Sequence, residues 1–429
     1  MILYRSGVKG TLAQREGSLT RTTLEGSTLL LMSSYSSTAA TSPVAGSLDS
    51  PRRRHNINDL LPLEILTAIF SDISRDHILH LRHLFLVCRS WSIVVLQEAE
   101  LWSTIRIDRE LYRHFRAPAL GAGVKDTQAT KFISLCISRS KSHLLSVILD
   151  FRSFMIWSRT LGQVINLDLF KLIRILVGNL GQHALRWQSL EWHSMVELGR
   201  ASEIISILPH CLPQLRYLRL YEFQWDRQSD LSFPHCPSLT VVELHEHQEY
   251  STRLLGESNC PIIEELHIES KMAWYFEDLR YILAFRNIRR LTLCSSCEGA
   301  QVAPEASEKV HLPQVTDLRL EGFIHLKLVG LLSVPSLKKV DFDHNEAISA
   351  ILSHLLSTDI ESISALIPPP GLVSRQVTIA TAVNSLIASL HALKLLRVKR
   401  WIYDVIKASD HPSDTSGILS RGIRVIIED

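Results

Sequence analysis

Nineteen histidines and seven cysteines are the side chains that could hold a metal or act as nucleophiles, so their spacing decides what chemistry is within reach. Cys294-x-x-Cys297 is a lone thiol pair, without the second Cys or His pair that would complete a tetrahedral zinc site. Structural thiols are the expectation there. Cys211, Cys236 and Cys260 each stand just ahead of a proline in successive segments, as a small buried side chain at a fixed turn would. His245-x-His247 would set two imidazoles on one strand face and bind a metal weakly, but the sequence places no carboxylate or third ligand beside them. The chain has no Gly-x-Ser-x-Gly elbow, no phosphate-cradling glycine loop and no His-Glu-x-x-His. Its aromatics are not interleaved with basic residues in the manner of a nucleic-acid surface. The expectation is a non-enzymatic chain, with no catalytic residue, no cofactor and no metal.

The elements that carry these residues must fold without disulfides. An odd number of scattered cysteines fits reduced thiols, and so the cytoplasm or the nucleus. Hydrophobic residues make up 46% and charged residues 21% of 429, which excludes a wholly disordered chain and allows roughly two or three domains. With 46 Lys+Arg against 44 Asp+Glu the net charge is +2, too balanced for a general grip on nucleic acid or anionic membrane. The most apolar stretch, Val164 to Leu180, is interrupted by Asp168, Lys171 and Arg174, so no membrane span is expected.

Residues 1–55 are rich in Ser, Thr, Gly and Ala and read as a disordered leader ending in Arg52, Arg53 and Arg54. Residues 56–107 hold three short segments with helical apolar spacing and read as a small three-helix domain. In the first, Pro62 suits the opening turn, Glu64 complements the helix N-terminus, and Ile65, Leu66, Ile69 and Phe70 form one stripe. The second runs from Ile78 to Val87 with Leu81, Leu84 and Phe85 on one side; the third spaces Trp91, Val94 and Val95 at i, i+3, i+4. Leu101-Trp102 closes the unit, and Ile105 and Ile107 alternate with polar residues as a short extended exit. Residues 108–127 read as a linker.

Residues 128–429 carry the strongest periodic signal. Six segments share Leu-x-x-Leu-x-Leu with apolar substitutions: Leu215/Leu218/Leu220, Leu239/Val242/Leu244, Ile263/Leu266/Ile268, Ile288/Leu291/Leu293, Val315/Leu318/Leu320 and Leu337/Val340/Phe342. Their starts lie 24, 24, 25, 27 and 22 residues apart, inside the leucine-rich-repeat range. In five of them a proline stands two residues ahead, at Pro213, Pro237, Pro261, Pro313 and Pro335, stopping one segment before the next strand. Looser copies are Leu144/Val147/Leu149, Trp187/Leu190/Trp192 and Leu393/Leu396/Val398, with a helical stripe at Phe170, Ile173, Val177 and Leu180 between the first two. Residues 346–357 and 376–392 read as helices and Arg421 to Ile427 as a last strand. The fold class is therefore a small all-α unit followed by an α/β leucine-rich-repeat-like solenoid with a curved parallel sheet.

Strand alternation points the repeat leucines inward and the residues between them outward. The outward set is Tyr217, Arg219, Tyr221, Val241, Glu243, His245, Glu265, His267, Glu269, Arg290, Thr292, Cys294, Asp317, Arg319, Glu321, Lys339, Asp341 and Asp343. Acids outnumber bases on it, so a basic or mixed-charge protein segment is the expected ligand, beside the plainer reading of an ordinary solvated sheet face.

Leu61-Pro62-Leu63-Glu64-Ile65-Leu66 with Ile69-Phe70, then Leu86-Val87-Cys88-Arg89-Ser90-Trp91, then Leu101-Trp102, resembles an F-box. With the repeats behind it, the chain from about residue 57 onward resembles F-box/leucine-rich-repeat proteins. The resemblance implies a substrate receptor of a Skp–cullin–F-box ubiquitin ligase, the F-box on the Skp adaptor and the repeats on an unidentified target. It implies adaptor contact at Pro62, Leu63, Ile65, Leu66 and Ile69, with Val87, Cys88 and Trp91 at a second contact or in the support beneath it. It implies target contact at Tyr217, Arg219, Tyr221, Glu243, His245, Glu265, His267, Glu269, Arg290, Asp317, Arg319, Glu321, Asp341 and Asp343. The competing expectation is an interaction scaffold without a ubiquitin role, in which the helical unit caps the repeat core.

Overall fold

The computed structural model describes residues 61–115, 123–152, 169–193, 201–221, 233–247, 260, 262–270, 282, 285–295, 309–322, 331–342, 359–366, 376–378, 381, 383–384, 387, 390–409 and 422–428. The leader, Pro261, Cys297, Asp343 and the 346–357 segment lie outside them. The helical unit comprises α1 (Leu63–Asp76), a 3-10 turn (Ile78–His80), α2 (Leu81–Phe85), α3 (Arg89–Gln97) and a second 3-10 turn (Ala99–Trp102). Then follow β1 (Thr104–Ile107), α4 (Arg109–Phe115), α5 (Gly123–Arg139), β2 (Leu145–Asp150), α6 (Leu169–Val177), β3 (Trp187–His193), α7 (Ala201–Ile207) and β4 (Tyr217–Tyr221). The remaining elements are β5 (Val241–His247), β6 (Glu265–Ser270), β7 (Arg290–Ser295), β8 (Val310–His311), β9 (Asp317–Gly322), β10 (Leu332–Ser333), β11 (Lys339–Phe342), β12 (Ser362–Ala365), β13 (Leu395–Lys399), α8 (Arg400–Ser409) and β14 (Arg424–Glu428).

Twelve of the strands form one parallel sheet in chain order, β1 through β7, then β9, β11, β12, β13 and β14. All three anchors of each of the six periodic segments are buried, from Leu215 at 0% to Phe342 at 4% exposure. The four described prolines, Pro213, Pro237, Pro313 and Pro335, occupy the second position of a tight turn rather than an extended run. Leu212, Cys236, Leu312 and Val334 carbonyls accept from the backbone N–H of Leu215, Leu239, Val315 and Leu337, three residues on. Proline's fixed φ suits that position, and the turn stands immediately ahead of each of these strands.

Several elements depart from expectation. Residues 109–115 and 123–127, read as linker, are helical, the second stretch opening α5, which continues to Arg139. Among the described residues α6 ends at Val177, not Leu180: Gly178 takes φ +82, the left-handed C-terminal stop that favours glycine, and Leu180 is exposed. The anchor of the first loose copy is the buried Leu145, with Leu144 only half-buried. Two strands escaped the repeat count. Ile360-x-x-Ile363-x-Ala365 supplies β12, and Trp102-x-x-Ile105-x-Ile107 supplies β1, all six side chains being buried. The last residues of the helical unit are thus the first rung of the sheet.

That junction is hydrogen-bonded as well as packed. Trp102 donates Nε1–H to the Val95 carbonyl at 2.7 Å, and Arg106 reaches the Asp76 carbonyl at 3.1 Å. Buried His77 lies 3.2 Å from Asp108, while His77 Nδ1 accepts from Leu79 N–H, so Nε2–H is the donor to the carboxylate. The same Asp108 oxygen accepts the Glu110 and Leu111 backbone N–H groups and caps α4. Burial disfavours its charge, but the His77 bond, the cap and Arg106 outweigh this and lower the Asp108 pKa. One hydrophobic core runs from Leu66 to Ile423 through both regions.

Candidate functional site

Two outward surfaces differ in kind. On the helical unit, Pro62 stands at the N-cap of α1, one residue outside the helix, and its carbonyl accepts the Ile65 and Leu66 N–H groups. The expected single stripe divides in two. Leu66 and Phe70, four residues apart, turn inward, whereas Leu63, Ile65 and Ile69 are exposed. Leu66, at 5% exposure, fills the core and is withdrawn from the contact set. Trp91 is half-buried and stands edge-on to Phe70 with ring centroids 4.9 Å apart, so much of its surface supports the α1–α3 contact. Val87 is exposed and Cys88, the N-cap of α3, is half-buried. Leu86, exposed at 73%, and Ile93 are outward apolar residues that the sequence reading did not place at the contact. Helical spacing hides them, because Leu86 sits in the turn after α2 and Ile93 on the outer side of α3.

On the sheet, alternation places the predicted residues outward as expected: Tyr217, Arg219 and Tyr221 on β4; Glu243 and His245 on β5; Glu265, His267 and Glu269 on β6; Arg290 on β7; Asp317, Arg319 and Glu321 on β9; Asp341 on β11. Register sets Glu191, Arg219, Glu243 and His267 in one row across β3 to β6. Arg219 holds Glu243 at 2.5 Å and approaches Glu191 at 3.9 Å; Glu191 bonds His193 at 2.5 Å. His245 bonds Glu269 through Nδ1 at 2.7 Å and Glu243 through Nε2 at 3.2 Å. Behind that row the rings of His193, Tyr221 and His245 stack with centroids 4.0 and 4.4 Å apart. Arg152, absent from the sequence reading, bonds His193 and lies 4.9 Å above the Tyr221 ring.

The electrostatics follow from these bonds. Burial opposes ionisation of Glu243, but His245, Arg219 and Tyr217 hold its carboxyl down to about 2. Burial likewise opposes protonation of His245, and its two carboxylate partners overcome it to raise the pKa. His267 goes the other way: burial, then the neighbouring His245 charge, lower it to about 4. Burial and Glu243 push Tyr217 upward.

Past β6 the charges pair locally. Arg290 reaches Glu265 across the β6–β7 boundary, Arg319 bonds Glu321 within β9, and Lys339 bonds Asp341 at 2.8 Å within β11. The apparent surplus of acids is therefore largely answered by neighbouring bases, which reduces the pull on a basic segment. Among the described residues no helix is long and apolar enough to cross a membrane.

The three short helices, the buried Leu101-Trp102 close and the exposed apolar residues within 62–69 and 86–93 fall inside one known family. Residues 59–108 match the F-box-like family. The match coincides with the helical unit and ends just past β1, so the F-box-like domain includes the first rung of the sheet. No curated protein matches the chain.

Proposed function

We propose that this chain is the substrate-recognition subunit of a Skp–cullin–F-box ubiquitin ligase. The F-box-like domain docks on the Skp adaptor and, through it, on the cullin and RING subunits. The sheet, read as a leucine-rich-repeat solenoid, holds an unidentified target, and ubiquitin transfer is promoted by proximity rather than by a catalytic residue here. The observation that carries the reading is the group of outward apolar residues Leu63, Ile65, Ile69, Leu86 and Val87 on a domain whose core is already filled by Leu66, Phe70 and Trp102. Large apolar side chains left in water on so small a unit lose that exposure on docking a partner. The twelve parallel strands in chain order, with buried anchors, support the solenoid reading. The cytoplasm or nucleus, where such ligases work on reduced proteins, is the compartment proposed.

The test is capture of the Skp adaptor by the full chain. Ile69→Asp combined with Leu86→Asp should abolish capture while circular dichroism and the melting temperature stay near those of the parent. Undiminished capture by a folded double variant would overturn the site assignment. One observation favours a second reading: β1 belongs to the helical unit and shields the end of the sheet, as a solenoid cap does. A chain that caps its sheet and never captures the adaptor would be a scaffold without a ubiquitin role.

A further inference from the structure

We propose that His245, His267 and Glu269 bind one divalent transition metal ion, zinc foremost, on the outward face of β5 and β6. A nitrogen of each histidine and an oxygen of Glu269 lie within 4.8 Å of one another. Around a tetrahedral zinc, bonds of about 2.1 Å place ligand atoms about 3.4 Å apart, so side-chain rotations of about 1 Å close the set. Two imidazoles and a carboxylate are the nitrogen and oxygen donors that zinc accepts, and three protein ligands leave a fourth position for water or for a group on a bound protein.

Two further observations point to a ligand. The Nε2 atom of His267 is buried without any hydrogen-bond partner, a costly state for a polar atom unless something else satisfies it. A metal at its lone pair would do so. The second is the pairing register, which slips between Leu244 and His247, so that residues 245 and 246 oppose the single Glu269. Such bulges re-aim a side chain, and this one turns His245 toward Glu269 and Glu243 together. Both ring nitrogens of His245 face carboxylates, Nδ1–H toward Glu269 and Nε2–H toward Glu243; a metal would displace the Nδ1 proton and leave Nε2–H on Glu243, the carboxylate–histidine–metal arrangement that fixes the tautomer of a ligand.

The charges suit a cation. Once His245 gives up its Nδ1 proton to the metal, Glu191, Glu243 and Glu269 stand against Arg219 and Arg152, with the nearby Arg319 held by Glu321, leaving an excess of one negative charge. The inference does not depend on the ubiquitin-ligase reading, since neither the adaptor surface nor a target enters it.

Cobalt(II) titration of the full chain, stripped of metal with a chelator and followed by visible absorption, is the test, with zinc as competitor. The expected result is saturation at one cobalt per chain with intense tetrahedral bands, reversal by one equivalent of zinc, and a zinc-dependent rise in melting temperature. His267→Ala and Glu269→Gln should each weaken binding at least tenfold, and Glu243→Gln by 10- to 100-fold on the scale of about that size for groups that orient a ligand. His311→Ala, at an exposed histidine on β8, should change nothing. Failure of the parent chain to take up one equivalent, or equal uptake by the Glu269→Gln and His267→Ala variants, would overturn the proposal. Should His267→Ala not fold, the partly exposed Glu269→Gln decides alone.

Discussion

The outward residues of the helical unit and those of the sheet face make opposite use of solvent. Leu63, Ile65, Ile69, Leu86 and Val87 present hydrocarbon to water, whereas Glu191, Arg219, Glu243, His245 and Glu269 are half-buried and joined across strands by ion pairs and ring stacking. An apolar surface gains from being covered by almost any complementary apolar surface. A lattice of paired charges gains only from a ligand that replaces the bonds it disturbs, since stripping one partner leaves the other uncompensated. The first surface is suited to affinity and the second to selection.

The division between inward and outward residues on α1 can be broken first. Leu66→Ala should cost about 2–5 kcal/mol of stability and Ile69→Ala within about 0.5 kcal/mol, both read from urea unfolding. Equal losses would mean that Ile69 is core and that the contrast is false. The sheet lattice comes next. Glu243→Gln should cost about 1–3 kcal/mol at pH 7. Because the folded pKa of Glu243 is depressed to about 2, its contribution is complete above the unfolded value of about 4.3 and disappears as pH falls through 2. The difference between parent and variant should therefore shrink across that window; a constant difference would remove the charge from the explanation. Smallest is the exposed pair Arg290 and Glu265, for which a double-mutant cycle should give about 0.2–1 kcal/mol, decreasing in salt. A coupling well above that range would extend the rigid lattice onto β7.

Much of the fold was legible because its anchors are large and regularly spaced. Leu-x-x-Leu-x-Leu located β4, β5, β6, β7, β9 and β11, and the F-box-like motif located the helical unit. Ile360, Ile363 and Ala365 escaped because alanine is a weak anchor, and Trp102, Ile105 and Ile107 because they had already been assigned to the helical unit. The outward rows followed from alternation, yet their pairing did not. Arg219 meets Glu243, and His245 meets Glu269, 24 residues away in each case. Which partners meet depends on register and, for His245, on a bulge that no local pattern announces. Leu66 and Ile69 were grouped wrongly because an apolar stripe wide enough for both a core and a surface reads as a single stripe.

Because Trp102, Ile105 and Ile107 finish the F-box-like domain and begin the sheet, the domain is hydrogen-bonded directly to the strand that follows, β2. Neighbouring strands stand about 4.8 Å apart, so the five steps from β1 to β6 span about 24 Å. The sheet is in this sense graduated: adding or deleting whole strands would move the later strands away from or toward the helical end in increments of one strand width.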